Sequence, residues 1–216
     1  MKIACMQPYF LPYIGYWQLI NAVDRFIILD DVQYITKGWI NRNKIIINGK
    51  EQWITIPLKN KSRNKMINQL DICEKELWTP KLKRTIKYNF QKCDNYNEGE
   101  RILNDICNHK DNKLINFLVN SIFVICEYLE LKTEILLASR TFPKCGKIGE
   151  ERIIDICRKC SADTYINLPG GKELYRNERF LKNGIKLDFI ETKKTFSTLL
   201  QSIIQNGKGN VISDLT

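Results

Sequence analysis

Two adjacent carboxylates, Asp30 and Asp31, close the apolar run Arg25-Phe-Ile-Ile-Leu29. Carboxylates so placed can serve as a general base, or anchor a substrate amine or a metal ion. A turn cap is the competing use. Side chains alternate across a strand, so only one of the two can face a given crevice directly. The sequence does not say which. Shortly after comes Lys37-Gly38-Trp39-Ile40-Asn41-Arg42-Asn43. Arg matches phosphate or carboxylate with two parallel hydrogen bonds. Trp can stack on a base or a sugar. A surface loop leading into a hairpin is the plainer reading of the stretch. Asp30, Asp31, Lys37 and Arg42 are the candidate catalytic residues, and Trp39, Asn41 and Asn43 are candidate substrate contacts.

A second set of groups precedes them, in Gln7-Pro8-Tyr9-Phe10-Leu11-Pro12-Tyr13-Ile14-Gly15-Tyr16. Pro8 and Pro12 fix two φ angles and remove two backbone donors. Gln7 and Leu11, each before a proline, are pushed toward extended geometry. Neither strand nor helix can run through this turn. Gly15 lets backbone or ligand approach closely. Core packing is the default for Tyr9, Tyr13 and Tyr16 taken singly, but together they predict at least one exposed phenol. Gln7 and Gln33 add amides. A third set is Asn167-Leu168-Pro169-Gly170-Gly171, after another short apolar run, with Tyr175 close behind. Glycines there permit backbone N–H groups to cradle an anion. Pro-Gly-Gly is also an ordinary turn.

These groups need a frame. Lys2–Met6 and Arg25–Leu29 read as buried parallel strands. The apolar positions Ile14, Trp17, Leu19, Ile20 and Val23 recur at roughly helical spacing between them. Such a strand–helix–strand unit is right-handed in nearly all folds, which brings Gln7 and Asp30 to one sheet edge. Ligands of open α/β sheets bind at that carboxyl edge. Gln7, Tyr9, Asp30, Asp31 and Gln33 are expected there together. Residues 134–138, 164–167 and 185–190 read as further strands, and Gly149–Cys160 and Asn177–Asn183 as helices, the second closed by Gly184. A last helix is expected over Thr195–Gln205. The fold class is α/β: one domain over residues 1–216 with a doubly wound, mostly parallel, Rossmann-like sheet. A β-hairpin at about 43–57, turning at Asn48-Gly49, is one insertion. Helices at about 78–128 are the other, the first starting at Thr79-Pro80. Asn60–Asn68 reads as a mobile polar loop, residues 70–73 as one more short strand, and Arg140–Lys147 as a loop.

A chain of 216 residues can bury a sizeable core. No signal peptide and no membrane-spanning run are visible, so a cytoplasmic protein with reduced thiols is expected. The formal net charge of +10 attracts anionic partners, yet the basic residues are scattered, and AT-rich coding bias explains them equally well. Among the 8 cysteines, Cys145, Cys157 and Cys160 could offer three zinc ligands. A structural zinc site wants four, so no metal is assigned. Cys5 sits just before the crevice without a nearby histidine, and a buried thiol is the expectation.

The segments QPYFLPYIGY, FIILDDVQY and GWINRNKI, in that order, resemble the signature of the WbqC-like protein family. Members of that family often lie among genes for surface-polysaccharide or amino-sugar synthesis, and some are labelled glycine transferases. The resemblance implies an enzyme: a transferase or ligase moving an acyl or aminoacyl group to an amine of a nucleotide-linked sugar. In this reading Asp30 or Asp31 orients or deprotonates the amine, Arg42 and Lys37 hold a phosphate or carboxylate, and Gln7 and Asn41 fix polar substrate groups. The donor stays open between an activated acyl compound and a nucleoside triphosphate with Mg²⁺. The opening also looks like that of nucleotidyltransferases with an H-x-G-H motif, but this chain lacks the histidines. A nucleotidyltransferase-like enzyme is one alternative, and a non-enzymatic nucleotide- or RNA-binding protein the other. The diffuse charge and the lack of an RNA-binding motif argue against nucleic acid.

Overall fold

The computed structural model describes residues 1–192 and 197–215. The elements run β1 (Lys2–Met6), α1 (Ile14–Asn21), β2 (Arg25–Ile28), β3 (Arg42–Ile47), β4 (Lys50–Thr55), β5 (Leu58–Lys59) and β6 (Asp71–Ile72). Then follow α2 (Lys75–Phe90), α3 (Tyr96–Cys107), α4 (Leu114–Leu129), β7 (Glu134–Leu137), α5 (Ala138–Thr141) and α6 (Gly149–Lys159). The chain closes with β8 (Thr164–Asn167), α7 (Asn177–Leu181), β9 (Lys186–Phe189) and α8 (Leu199–Ser213).

Five strands form one sheet in the order β7-β2-β1-β8-β9, and every neighbouring pair is parallel. The chain winds outward from β1 through β2 to β7, then returns to the middle and winds the other way through β8 to β9. This is the doubly wound, Rossmann-like arrangement that the apolar runs predict. Its three central strands are buried on both faces, as parallel sheets require, while the edge strands β7 and β9 are only partly buried. On one face Ala4, Phe26, Ile28 and Ile166 join the larger core with α1, α3, α4 and α8. On the other, Ile3, Cys5, Ile27 and Tyr165 pack against Ile153, Ile156, Cys157 and Phe180 of α6 and α7. The period-two alternation thus divides each strand between two layers of helix.

The insertions lie between β2 and β7. Strands β3 and β4 pair as an antiparallel hairpin with Ile47 opposite Lys50. Asn48 and Gly49 turn it at φ 50° and 73°, the left-handed pair that this dipeptide favours. Strand β6 pairs with β5.

Four local readings need correction. Helix α2 begins at Lys75, not Thr79, with Pro80 inside it. Proline removes one donor near the start, while the Thr79 hydroxyl donates to Lys75 O at 2.8 Å and buried Trp78 anchors the turn. Residues 138–141 form a helical turn where loop was expected from Arg140. The far end of the 60–68 loop is tied down: Ile67 N donates to Val32 O at 3.0 Å, Asn68 N donates to Asp30 O at 3.0 Å, and Ile67 is buried. Leu11 adopts φ 45°, not an extended value. Its carbonyl and that of Phe10 both accept from Asn43 Nδ2, at 2.8 and 3.0 Å, which holds the turn in a conformation that costs roughly 1–3 kcal/mol. The expected start of the last helix at Thr195 lies outside the described residues. Helix α8 continues past Gln205 to Ser213, broken at Gly207 with φ 79°. No helix among the described residues is long and apolar enough to cross a membrane.

Candidate functional site

The winding direction reverses between β1 and β8, where the two outgoing chains splay apart and leave a crevice at the carboxyl edge. A cavity of about 550 Å³ opens there. Its walls carry Gln7 and Tyr9 from the turn after β1, Tyr13 before α1, Trp39 from the hairpin entry, Asn167 at the end of β8, Gly170 and Gly171 after it, and Tyr175. The three sequence segments that carry the candidate groups therefore meet in one place. The close approach needs Gly15: a Cβ there would lie 2.6 Å from Tyr13 Cε2 and 3.1 Å from Thr192 Cγ2.

The chemistry of this cavity is neutral and polar. Burial pushes the phenols of Tyr9, Tyr13 and Tyr175 above their ordinary pKa, so they stay protonated and present O–H groups. Asn167 is buried, donates from Nδ2 to Tyr165 Oη at 3.1 Å, and accepts from Leu168 N at 2.7 Å. Tyr165 Oη in turn donates to Tyr175 Oη at 3.3 Å. This chain sets the rotamers on the β8 side. Trp39 is 42% exposed and lies 5.4 Å from Trp53 between ring centroids, so one indole plate faces the opening. Hydroxyl-rich ligands suit such walls: amides and phenols both donate and accept, and an indole covers an apolar sugar face. Cys5 also reaches the cavity, but burial holds its thiol well above the usual range and disfavours the nucleophilic thiolate.

The remaining candidates sit elsewhere. Tyr16 is fully buried beneath the cavity, donates to Gln7 O at 3.1 Å, and packs edge-on to Phe26. Asn41 accepts from Tyr34 Oη and donates to Ile56 O, both at 2.8 Å. Asn43 clamps the proline turn to the hairpin and Asn41 ties the hairpin's entry to Tyr34 and Ile56, and neither asparagine lines either cavity described here. Arg42 wraps the preceding turn, donating to Gly38 O at 3.2 Å and to Lys37 O, with its guanidinium 4.0 Å above Trp53. It holds the Trp39 segment. Lys37 is exposed at φ 64° and lines neither cavity described here. Asp30 is buried, and its carboxylate accepts from Ser139 N at 2.9 Å and Asn68 Nδ2 at 3.2 Å. That pins the end of β2 to α5 and the 60s loop.

Asp31 leads to a second cavity, of about 610 Å³, beyond the ends of β2 and β7. It adjoins the first, sharing Leu29, Leu174 and Tyr175 as a wall, and it receives Gln33. Arg152, Lys144 and Lys147 line it. Arg152 Nη2 donates to Asp31 Oδ2 at 2.6 Å, while Arg152 Nε and Nη1 and Asp31 Oδ1 are buried without a partner among the described residues. A buried donor left unpaired costs roughly 1–3 kcal/mol, so a native site with several invites a functional account. The sequence did carry a signal that was missed. Arg152 precedes Ile156 by one helical turn, which puts a cation on the apolar stripe of α6, where charge is rarely buried without purpose.

Among the described residues no cluster of three or more His, Cys, Asp or Glu is placed to hold a metal ion. Cys157 and Cys160 are buried in the second core and Cys145 is exposed. Burial pushes the Cys157 thiol up to about 12.

Fold and cleft together define a doubly wound α/β protein with its candidate ligand site at the topological switch point. The match to known sequences is more specific. The model of the WbqC-like protein family matches residues 7–202, and the chain belongs to that family. It is also similar to an uncharacterised protein, Rv1507c, of Mycobacterium tuberculosis strain H37Rv, 29% identical over 179 residues that cover 82% of this chain and 76% of the relative. No solved structure matches the chain significantly.

Proposed function

We propose that the protein transfers an acyl or aminoacyl group, a glycyl group for example, from an activated donor to the amine of a nucleotide-linked sugar. The observation that carries this reading is the switch-point cavity, whose phenols, amides and single exposed indole plate suit a hydroxylated ring. The family to which the chain belongs is associated with polysaccharide and sugar biosynthesis in general, which supports it. In the reaction the acceptor nitrogen attacks the acyl carbon. A C–N bond forms, the bond from that carbon to the donor's oxygen or sulfur breaks, and the amine proton leaves with the departing group. Gln7, Tyr9, Tyr13 and Asn167 are assigned to the sugar, Trp39 to its apolar face, and the Gly170-Gly171 backbone to the ligand's polar edge. Neither aspartate lines the switch-point cavity: Asp30 is pinned by Ser139 and Asn68 and Asp31 is paired with Arg152, so neither is assigned to the amine. Arg42 is a positioning residue for Trp39.

The test is calorimetric titration with nucleoside-diphosphate amino sugars, followed by incubation with glycyl or acetyl thioesters and mass analysis of the sugar. Binding that weakens about tenfold in Trp39→Ala, a loss of about 1.4 kcal/mol, supports the reading. A mass gain on the amino sugar, absent with the hydroxyl sugar, identifies the reaction. If no amino-sugar nucleotide binds at millimolar concentration, the proposal is wrong.

A further inference from the structure

The geometry points to the second cavity as a binding site for a phosphoryl group, anchored by Arg152. The argument begins with an unpaired charge. Arg152 is only 4% exposed and lies in the wall of the cavity. A guanidinium carries five N–H groups. One nitrogen is committed to Asp31, and Nε and Nη1, which bear three of those N–H groups, have no acceptor among the described residues. Asp31 already fixes the guanidinium, and an oxyanion drawn to this wall would supply the missing acceptors once the side chains covering Nε and Nη1 move aside.

The surroundings favour the same occupant. Helix α6 starts at Gly149 in the cavity wall, and no side chain caps it, so its first N–H groups and its positive dipole end stand beside Arg152. Lys144 and Lys147 stand at the rim. Lys144 Nζ donates to the Asp31 carbonyl, and Lys147 pairs with Asp155. The one carboxylate lining the cavity, Glu150, is engaged by Arg179 at 2.8 Å. Three cations and a helix end converge on one space, against Asp31 as the inner counter-ion. Asp155 offsets the charge of Lys147, so the net positive charge is small, and the preference rests on donors: the three N–H groups of Arg152 Nε and Nη1 match the several terminal oxygens of a phosphoryl group better than the two of a carboxylate. The site does not depend on what the neighbouring cavity takes, because no residue named here as a contact lines the switch-point cavity.

The test uses the full chain and pyrophosphate alone, with inorganic phosphate as a second probe and acetate and chloride as controls at matched ionic strength. Thermal stabilisation by pyrophosphate is expected, with ³¹P line broadening and weak or no response to the controls. Lys144→Gln and Lys147→Gln should each weaken pyrophosphate binding at least fivefold. Arg152→Gln should abolish it, and if that variant fails to fold, Arg152→Gln combined with Asp31→Asn removes the stranded carboxylate and gives the same readout. Equal stabilisation by acetate or chloride, no response to pyrophosphate, or unchanged affinity in the lysine variants would overturn the site. A Trp39→Ala protein should bind pyrophosphate as the wild type does, so this site and the sugar-transfer reading fail separately.

Discussion

The two adjoining cavities are built on opposite principles. At the switch point the β8 side is paired: Asn167 closes a short network with Tyr165 and Tyr175, and Asn43 locks the proline turn behind the cavity. That wall is preorganised and neutral, and costs little when empty. Next door, Arg152 and Asp31 hold each other but leave three buried polar atoms unmatched. That wall is charged and unsatisfied. The difference teaches where to look for specificity and where for electrostatic grip. Paired walls discriminate shape and hydroxyl pattern, while an unpaired buried cation attracts an anion strongly and with less geometric selection.

The comparison can be broken at its charged side first. Arg152→Met strands Asp31 in a buried setting and should cost roughly 3–5 kcal/mol in denaturant unfolding. Adding Asp31→Asn should recover most of that loss. A cost below about 1 kcal/mol would mean that the pair is not held as a buried unit. On the neutral side, Asn43→Ala leaves the Phe10 and Leu11 carbonyls without their shared donor, and roughly 1–3 kcal/mol should be lost. Sugar-nucleotide affinity should fall in the same variant, because the turn that carries Tyr9 and Tyr13 loses its clamp.

A smaller effect sharpens the contrast. Trp39→Ala removes a half-exposed ring stacked near Trp53, so stability should fall by only about 0.5–1.5 kcal/mol while ligand binding to the neutral cavity drops about tenfold. The smallest effect is a titration. Hydrogen bonds from Lys147, then from Lys159, hold the Asp155 carboxyl below its ordinary pKa, against a raising effect of burial. The folded value lies below the unfolded one of about 3.9, so the stabilisation is complete above that pH and is lost as pH falls through the folded value. Lys147→Gln should move the Asp155 titration upward in ¹³C carboxyl spectra, with less than about 1 kcal/mol at stake. An unmoved titration would show that Lys147 is not held at the rim by Asp155.

Much of the frame was legible because it rests on local rules. The runs 2–6, 25–29, 134–138, 164–167 and 185–190 became strands within a residue or two of the expected ends, since short apolar runs between turn signals suit a sheet buried on both faces. Asn48-Gly49 turned the hairpin where its left-handed preference placed it. The cleft was legible for the same reason: carboxyl ends of parallel strands gather the residues at and after them, and Gln7 follows β1 while Asn167 ends β8 just before the glycines. Less legible was what each polar side chain would hold. Asn41, Asn43 and Arg42 have the composition of a ligand loop, yet they hold backbone in place. A side chain's partner is set by tertiary neighbours such as Phe10 and Ile56, which no local pattern names.

By itself, then, the sequence determined the family through its motifs, and the doubly wound sheet and the edge at which the cavity opens through periodicity, turn chemistry and handed connections. Only the tertiary structure decided which carboxylate was pinned and which was left partly free, and that Arg152 and Lys144, more than 110 residues beyond Asp31, would make a charged cavity beside it. The physical reason is that hydrogen-bond saturation and burial are properties of packed neighbours. A buried charge has meaning only through what surrounds it, and those groups come together only when the chain has folded.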